Sequence, residues 1–263
     1  MIAWMLLMAC SATSTEPAPA TPPGAEPASL SAPGLQLTTR SWTGRDGQTG
    51  PAWVVHLTNP TLTVLPSDTL QPLPAFSAPS TDTYVHINGG FYDPQAQAMS
   101  LVVHDGTVHN SLGSGSGIVT GPRPVAILHK DAWQPGPGEA LQSIDRIVND
   151  GTSLVSHRPD ARRAARSIIA VADDGVFVAV LAHERSASAE GSTVHLSATS
   201  FLGPTLAEAA DFAVNELGAT AALNLDGAVS SALIVSTPAG RVEVVGEQPI
   251  INAIRVQPGP AAN

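Results

Sequence analysis

The sequence holds one cysteine, Cys10, in 263 residues. Neither a disulfide framework nor a thiolate metal site can organise it. Lysine is as scarce: Lys130 stands alone among 12 basic residues. Arginine therefore carries nearly every positive contact, and its planar fork suits phosphate and carboxylate better than an ammonium does. Basic charge as a whole is short. Against 22 acidic residues the net charge is -10, which argues against nucleic acid or an anionic membrane surface as the main partner. Walker, dinucleotide, His-Glu-x-x-His and calcium-loop patterns are missing. The Gly/Ser run Gly113–Gly117 lies between strand signals rather than ahead of a helix, so no nucleophile elbow is present. His104, Asp105 and His109 are near in sequence, but on a hairpin they fall on different faces or in the turn. No metal and no cofactor is expected.

What the chain does have is apolar content. Hydrophobic residues make up 43%, enough for a sizeable core. Residues 1–9 are continuously apolar but far too short to span a bilayer. They read as the hydrophobic end of a secretory signal, and Leu7-Met8-Ala9-Cys10 resembles a lipobox whose cysteine is lipidated. Residues 11–34 are rich in Pro, Ala, Ser and Thr and read as a disordered tether. A signal at 1–10, a tether at 11–34, one domain at 35–257 and a Pro/Gly/Ala tail at 258–263 make an exported chain, anchored to the cell envelope through Cys10 or secreted.

Within the domain the signals are mostly strands. Trp53–Leu57, Leu62–Leu65, Tyr84–Asn88 and Ile250–Val256 are rich in β-formers. Hairpins are expected at Leu101–Val108 through Asp105-Gly106, at Ile168–Val180 through Asp174-Gly175, and at Leu233–Val244 through Pro238-Ala239-Gly240. Pro66–Pro79 carries four prolines and reads as an irregular surface loop. One helix is expected. Thr205 and Glu208 form a capping box, Leu206, Ala210, Ala213, Val214 and Leu217 share a face, and Gly218 is a natural stop. The fold class is α+β: a strand-rich single domain with few helices.

Two strand ends concentrate polar groups. In Ala222-Leu223-Asn224-Leu225-Asp226-Gly227, alternation turns Asn224 and Asp226 to one face and the leucines to the other. In His86-Ile87-Asn88-Gly89-Gly90, His86 and Asn88 share a face in the same way. Polar pairs at the ends of apolar strands are costly without partners or a job. Built alike, the two ends can place His86, Asn88, Asn224 and Asp226 around one cleft. Arg158, Arg162, Arg163 and Arg166 add a basic window in an acidic protein, and Arg166 abuts the strand from Ile168. Bidentate arginine suits phosphate or carboxylate, although most of the four also read as a solvated loop.

In this order, Asn88-Gly89-Gly90-Phe91-Tyr92, Ser116-Gly117, Ala140-Leu141-Gln142-Ser143, the arginine before Ser167-Ile168, the helix from Thr205 and Ala222–Gly227 resemble the phosphodiester glycosidase family, which includes the N-acetylglucosamine-1-phosphodiester α-N-acetylglucosaminidases and bacterial exported proteins. The resemblance runs from about Trp53 to Val256. It implies hydrolysis of a sugar-1-phosphodiester at the anomeric carbon, with a carbohydrate phosphodiester or an envelope glycan as partner. A phosphodiester leaves as a stabilised anion, so one carboxylate and an arginine suffice. The resemblance implies Asp226 as base or oxocarbenium stabiliser, Arg166 on the phosphate and His86 as proton shuttle. Asn88 and Asn224 would then bond sugar hydroxyls, with Ser230 and the amides near Gly89, Gly90 and Gly227 on the phosphate. The chain departs from the family where glycines usually follow Asp-Gly, with Ala228 and Val229, and where Gly-Pro usually follows Gln142-Ser143, with Ile144-Asp145. A left-handed backbone at the first departure would be strained. The alternative is a catalytically impaired, lipid-anchored glycan-binding protein.

Overall fold

A computed structural model describes residues 29–76, 82–155, 162–197 and 202–259. The signal, Cys10, all but the last residues of the tether, Arg158 and the last four residues of the tail lie outside the described residues.

Three sheets carry the fold. The first has eight strands, in the order Leu30–Ala32, Leu35–Thr43, Thr49–Leu57, Gly175–Leu181, Arg166–Ala172, Ala221–Asn224, Asp145–Asn149 and Thr152–Ser153. The second has seven, in the order Ala187–Glu190, Thr193–Leu196, Gly240–Gly246, Leu233–Thr237, Tyr84–Asn88, Ile250–Gln257 and Thr61–Gln71. The third is a five-stranded sheet around Glu139–Ser143. Pairing is antiparallel except between Thr193–Leu196 and Gly240–Gly246. The main core lies between sheets, where Leu37, Val55, Ile169, Val178 and Leu223 of the first meet Val85, Ile87, Val235 and Ile254 of the second and Val119 and Leu141 of the third. Each of these is fully or almost fully buried. At roughly 2 kcal/mol per buried aliphatic side chain, this layer supplies most of the driving force for folding.

The helix Leu206–Leu217 covers the other face of the first sheet. Leu206, Ala209, Ala210, Ala213 and Leu217 pack on Ile147, Ile168, Ala170 and Ala222. Its start is doubly fixed: Thr205 Oγ1 accepts from the Glu208 amide at 3.2 Å, and Glu208 Oε2 accepts from the Thr205 amide at 2.9 Å. Gly218 ends it in the left-handed conformation at φ 63°. Glu208 also takes two bonds from Arg163, at 2.9 and 3.1 Å. Among the described residues no helix is long and apolar enough to cross a membrane.

Two segments differ from the sequence reading. Leu30–Ala32, inside the segment read as a tether, pairs with Leu35–Leu37 as the outer strand of the first sheet. Pro66, read as the start of a loop, lies within the strand Thr61–Gln71, opposite Asn252. That strand is the sheet's edge, and the register shifts between Ile250 and Asn252. An edge beside a bulge is where a residue without an amide proton costs a sheet least.

Candidate functional site

The site grows from the end of the strand Ala221–Asn224. Its neighbours on the two sides set the geometry. Ile168 pairs with Asn224 on one side and Asp145 pairs with Asn224 on the other. Ala222, Ile168 and Ala170 all face the helix, so alternation places Asn224 on that face too. The regular register ends at the Ile168–Asn224 pair, and the chain beyond it stays beside Ala165–Ser167. The Leu225 amide donates to the Ser167 carbonyl at 2.8 Å, and the Ala228 amide donates to the Ala165 carbonyl at 2.8 Å, one residue further on than regular pairing would give. Asp145, Asn224, Asp226 and Arg166 thus gather polar groups at this end of an apolar sheet, and all four are buried.

Asp226 is the chemically distinctive member. Burial pushes its carboxyl up to about 6, against the opposing pull of the Gly227 amide and the Ser230 hydroxyl. The Gly227 amide donates to its Oδ1 at 2.8 Å. A carboxyl held there switches charge just below neutrality. Arg166 donates from Nε to the Pro204 carbonyl at 3.2 Å and from one terminal nitrogen to the Arg162 carbonyl at 2.7 Å, which fixes its position. Asn224 donates to the Leu225 carbonyl at 2.9 Å. Its Oδ1 is buried and has no hydrogen-bond partner among the described residues.

The second strand end reaches the same place through the backbone. Asn88 is fully buried. Its Nδ2 donates to the Asp226 carbonyl at 2.7 Å, and its Oδ1 accepts from the Ser167 hydroxyl at 2.6 Å and the Ala232 amide at 3.0 Å. The Gly89 carbonyl accepts from the Asp226 amide at 2.9 Å. Expected as a sugar-binding group, Asn88 instead has its carboxamide engaged inside the protein, where it holds the loop that carries Asp226. The amides of Gly89 and Gly90 are likewise engaged, with the carbonyl and Oδ1 of Asn252 at 3.0 and 2.7 Å. A Cβ at Gly89 would overlap the Asn252 carboxamide, so this glycine is needed for close packing.

His86 points elsewhere. Its strand neighbours on the same face, Tyr84, Ile234 and Ala253, belong to a cluster on the far side of the second sheet. Its Nε2 accepts from Arg255 Nε at 2.8 Å, and its ring is tilted against Tyr84 at 4.6 Å. Burial, with the charges of Arg255 and Arg241, lowers its pKa to about 3, so the ring is neutral across the physiological range. Arg163 is ion-paired with Glu208 and with Asp46 at 2.7 Å, and so holds the helix start.

Four polar residues that sequence reasoning did not assign to the site prove to shape it. Asp145 stands beside Asn224, and the Ser143 hydroxyl donates to the Asn224 carbonyl at 2.6 Å. Ser167 anchors Asn88. Gln142, fully buried, clamps the glycine loop through the Gly113 amide at 2.8 Å and the Gly115 carbonyl at 2.5 Å. The available signal was the one used for Asn224 and Asp226: polar side chains inside apolar strands.

Ala228 has φ 57°, the left-handed conformation that a side chain disfavours. Val229 is not among the positive-φ residues. Ala228→Gly is expected to raise stability by about 0.5–1 kcal/mol, the relief of strain exceeding the entropy that glycine adds to the unfolded chain. A rise in the thermal midpoint of about 1–4 °C would show it, and a fall would show that the loop carries no strain.

Among the described residues no three His, Cys, Asp or Glu side chains are grouped to hold a metal ion.

Comparison with known proteins agrees with this architecture. A family model described as phosphodiester glycosidase matches residues 81–257. Among solved structures, the catalytic domain of zebrafish N-acetylglucosamine-1-phosphodiester α-N-acetylglucosaminidase, auto-inhibited by its pro-peptide, is similar with a TM-score of 0.63 at 14% identity, over 87% of this chain and 85% of that one. A hypothetical protein from Synechocystis is similar with a TM-score of 0.58 at 14% identity, over 85% of this chain. This chain spans 62% of the length of the Synechocystis protein. No curated protein matches the sequence.

Proposed function

The chain belongs to the phosphodiester glycosidase family, and from that premise we propose that it hydrolyses a sugar-1-phosphodiester of the cell envelope, with Asp226 as the catalytic carboxylate and Arg166 on the phosphate side. The observation that carries this reading is Asp226 itself: a buried carboxyl with a pKa of about 6, on the segment that runs beside the strand bearing the buried Arg166.

The chemistry follows from the leaving group. The bond from the anomeric carbon to the phosphate oxygen breaks, and the electron pair leaves with the phosphate. A phosphate monoester is stable as an anion, so no acid has to protonate it. Arg166 stabilises the charge as it develops. Asp226, ionised above pH 6, stabilises positive charge at the anomeric carbon and takes a proton from the attacking water. Asn224 offers its unpartnered Oδ1 to a sugar hydroxyl, a donor that would satisfy a buried acceptor. Ser230, buried beside Asp226, tunes the carboxyl. Asn88, Gly89 and Gly90 position the loop, and no step is assigned to His86. The left-handed geometry at Ala228 is formed in spite of its side chain, so the loop has the shape a glycine would give it.

The assay is direct. Purified protein is expected to release phosphate monoester from aryl or alkyl N-acetylglucosamine-1-phosphodiesters. Failure on every sugar phosphodiester offered would leave the family fold serving as a lipid-anchored glycan-binding module instead. Export and anchoring rest on residues 1–10, and metabolic labelling with a fatty acid tests them: label retained in a Cys10→Ala variant would remove the anchor from the proposal.

A further inference from the structure

A cavity of about 330 Å³ opens between the edge strand Thr61–Gln71, the segment around Gln97 and the strand Thr107–Asn110. That is within the size range of small-ligand sites, ~300–1,000 Å³. Besides Ser67, whose hydroxyl is bonded to Thr69, five polar side chains line it: Asp68, Gln97, His109, Asn110 and Asn252. Their hydrogen-bonding groups are largely uncommitted. Asn110 uses Nδ2 on the carbonyls of Ala98 and Ser100, which leaves Oδ1. Asn252 uses Oδ1 on the Gly90 amide, which leaves Nδ2. The Asp68 carboxylate, the Gln97 carboxamide and the His109 ring nitrogens make no hydrogen bond among the described residues. The remaining lining is small or apolar, and it holds no lysine or arginine.

The cavity is joined to the candidate site by the backbone. The Asn252 carbonyl accepts from Gly89 and the Gly89 carbonyl accepts from Asp226, at 3.0 and 2.9 Å. Asn252 is therefore two strand spacings from Asp226, or ~10 Å.

We propose that this cavity is a second sugar subsite, which takes a neutral, hydroxyl-rich portion of the substrate beyond the sugar cleaved at Asp226. Each sugar hydroxyl donates and accepts at once, and the cavity presents amide donors, amide acceptors and one carboxylate within a small volume. An anion is disfavoured, because Asp68 would repel it and no cation answers it. The substrate class is then a phosphodiester-linked oligosaccharide or glycan chain rather than a single sugar phosphate. This rests on the reading of Asp226 as the centre of a sugar-phosphate site, but the cavity's own binding is separable from turnover.

The test uses the full chain carrying Asp226→Asn, so that nothing is hydrolysed. Chitotetraose and maltotetraose are titrated as neutral probes and sodium phosphate as the anionic one, by calorimetry. At least one tetrasaccharide is expected to bind saturably. Asp68→Ala with Gln97→Ala is expected to weaken it by about tenfold or more, the loss of two or more hydrogen bonds. Both residues are exposed, so the fold is not expected to depend on them. Should the double variant melt early, NMR shift changes at the Gln97, Asn110 and Asn252 side-chain amides of the Asp226→Asn chain report the same contact without further substitution. Binding of neither tetrasaccharide, binding indifferent to the double substitution with those amides unmoved, or phosphate binding lost in the double variant would each overturn the proposal. A chain that binds a tetrasaccharide here and hydrolyses no phosphodiester keeps the subsite and loses the hydrolase; hydrolysis without such binding does the reverse.

Discussion

Asp226→Asn is expected to lower kcat/KM on a sugar phosphodiester by about 10²–10⁴-fold, the usual contribution of one positioned acid or base. The pH profile separates this role from a merely structural one. Burial holds the Asp226 pKa at about 6, and the base works only when ionised. For the parent protein, kcat/KM should fall about tenfold per pH unit below 6 and level off above it. In the variant that step disappears and the residual rate is flat through the same region. Stability moves the opposite way. A carboxyl whose pKa is raised on folding binds its proton more tightly in the folded state, so its ionised form costs stability above pH 6 and costs nothing below about 4. The Asp226→Asn variant should therefore be the more stable protein at pH 8, by about 2–3 kcal/mol, with the difference closing by pH 4. Denaturant melts at the two pH values measure it. Turnover unchanged by the substitution would remove Asp226 from the mechanism and leave the family fold intact.

The same residue shows what could be read before any coordinates. The face of Asn224 follows from alternation along one strand, a local rule, and its neighbours Ile168, Ala170 and Ala222 do pack on the helix, whereas Asp226 lies past the strand's end. The helix was legible because its capping box, its apolar face and its terminal glycine all agree. The hairpins at 168–180 and 233–244 were legible because each closes over a short turn. Pro66 was misread because its cost in a strand depends on whether that strand is an edge, which is a property of the sheet. Asp145 and Ser167 were missed for a related reason. Each lies far along the chain from Asp226 and meets the site only through antiparallel register. Polar content at a strand end could be recognised locally, whereas the partners that consume it could not. His86 and Asn88 show the limit most plainly: Ile234 opposite His86 and Ala253 opposite Asn88 lie in one cluster, as a shared face requires, but their hydrogen-bond partners Arg255 and Ser167 come from distant strands and could not be read locally.

Asn88 carries the second large effect, and its two possible roles predict opposite patterns. Truncation by Asn88→Ala removes the acceptor of the Ser167 hydroxyl and the Ala232 amide, and the donor to the Asp226 carbonyl. All three lie where water does not reach Asn88. Each stranded group costs about 1–3 kcal/mol, and partial relaxation brings the total to about 3–5 kcal/mol. In a chain of this size the thermal midpoint should fall by roughly 10 °C. The catalytic consequence runs through position. The Asp226 carbonyl and amide are held by Asn88 and Gly89, so loosening one of them lets the carboxyl drift from its working position. A misplacement of ~1 Å costs on the order of 10²-fold in rate, and the loss should fall on kcat with KM little changed. Had Asn88 instead bonded a sugar hydroxyl, truncation would raise KM and leave the melt almost untouched. Thermal melts together with kcat and KM on one phosphodiester decide between the two. A stable variant with a raised KM would return Asn88 to the substrate and break the link from the second strand end to Asp226.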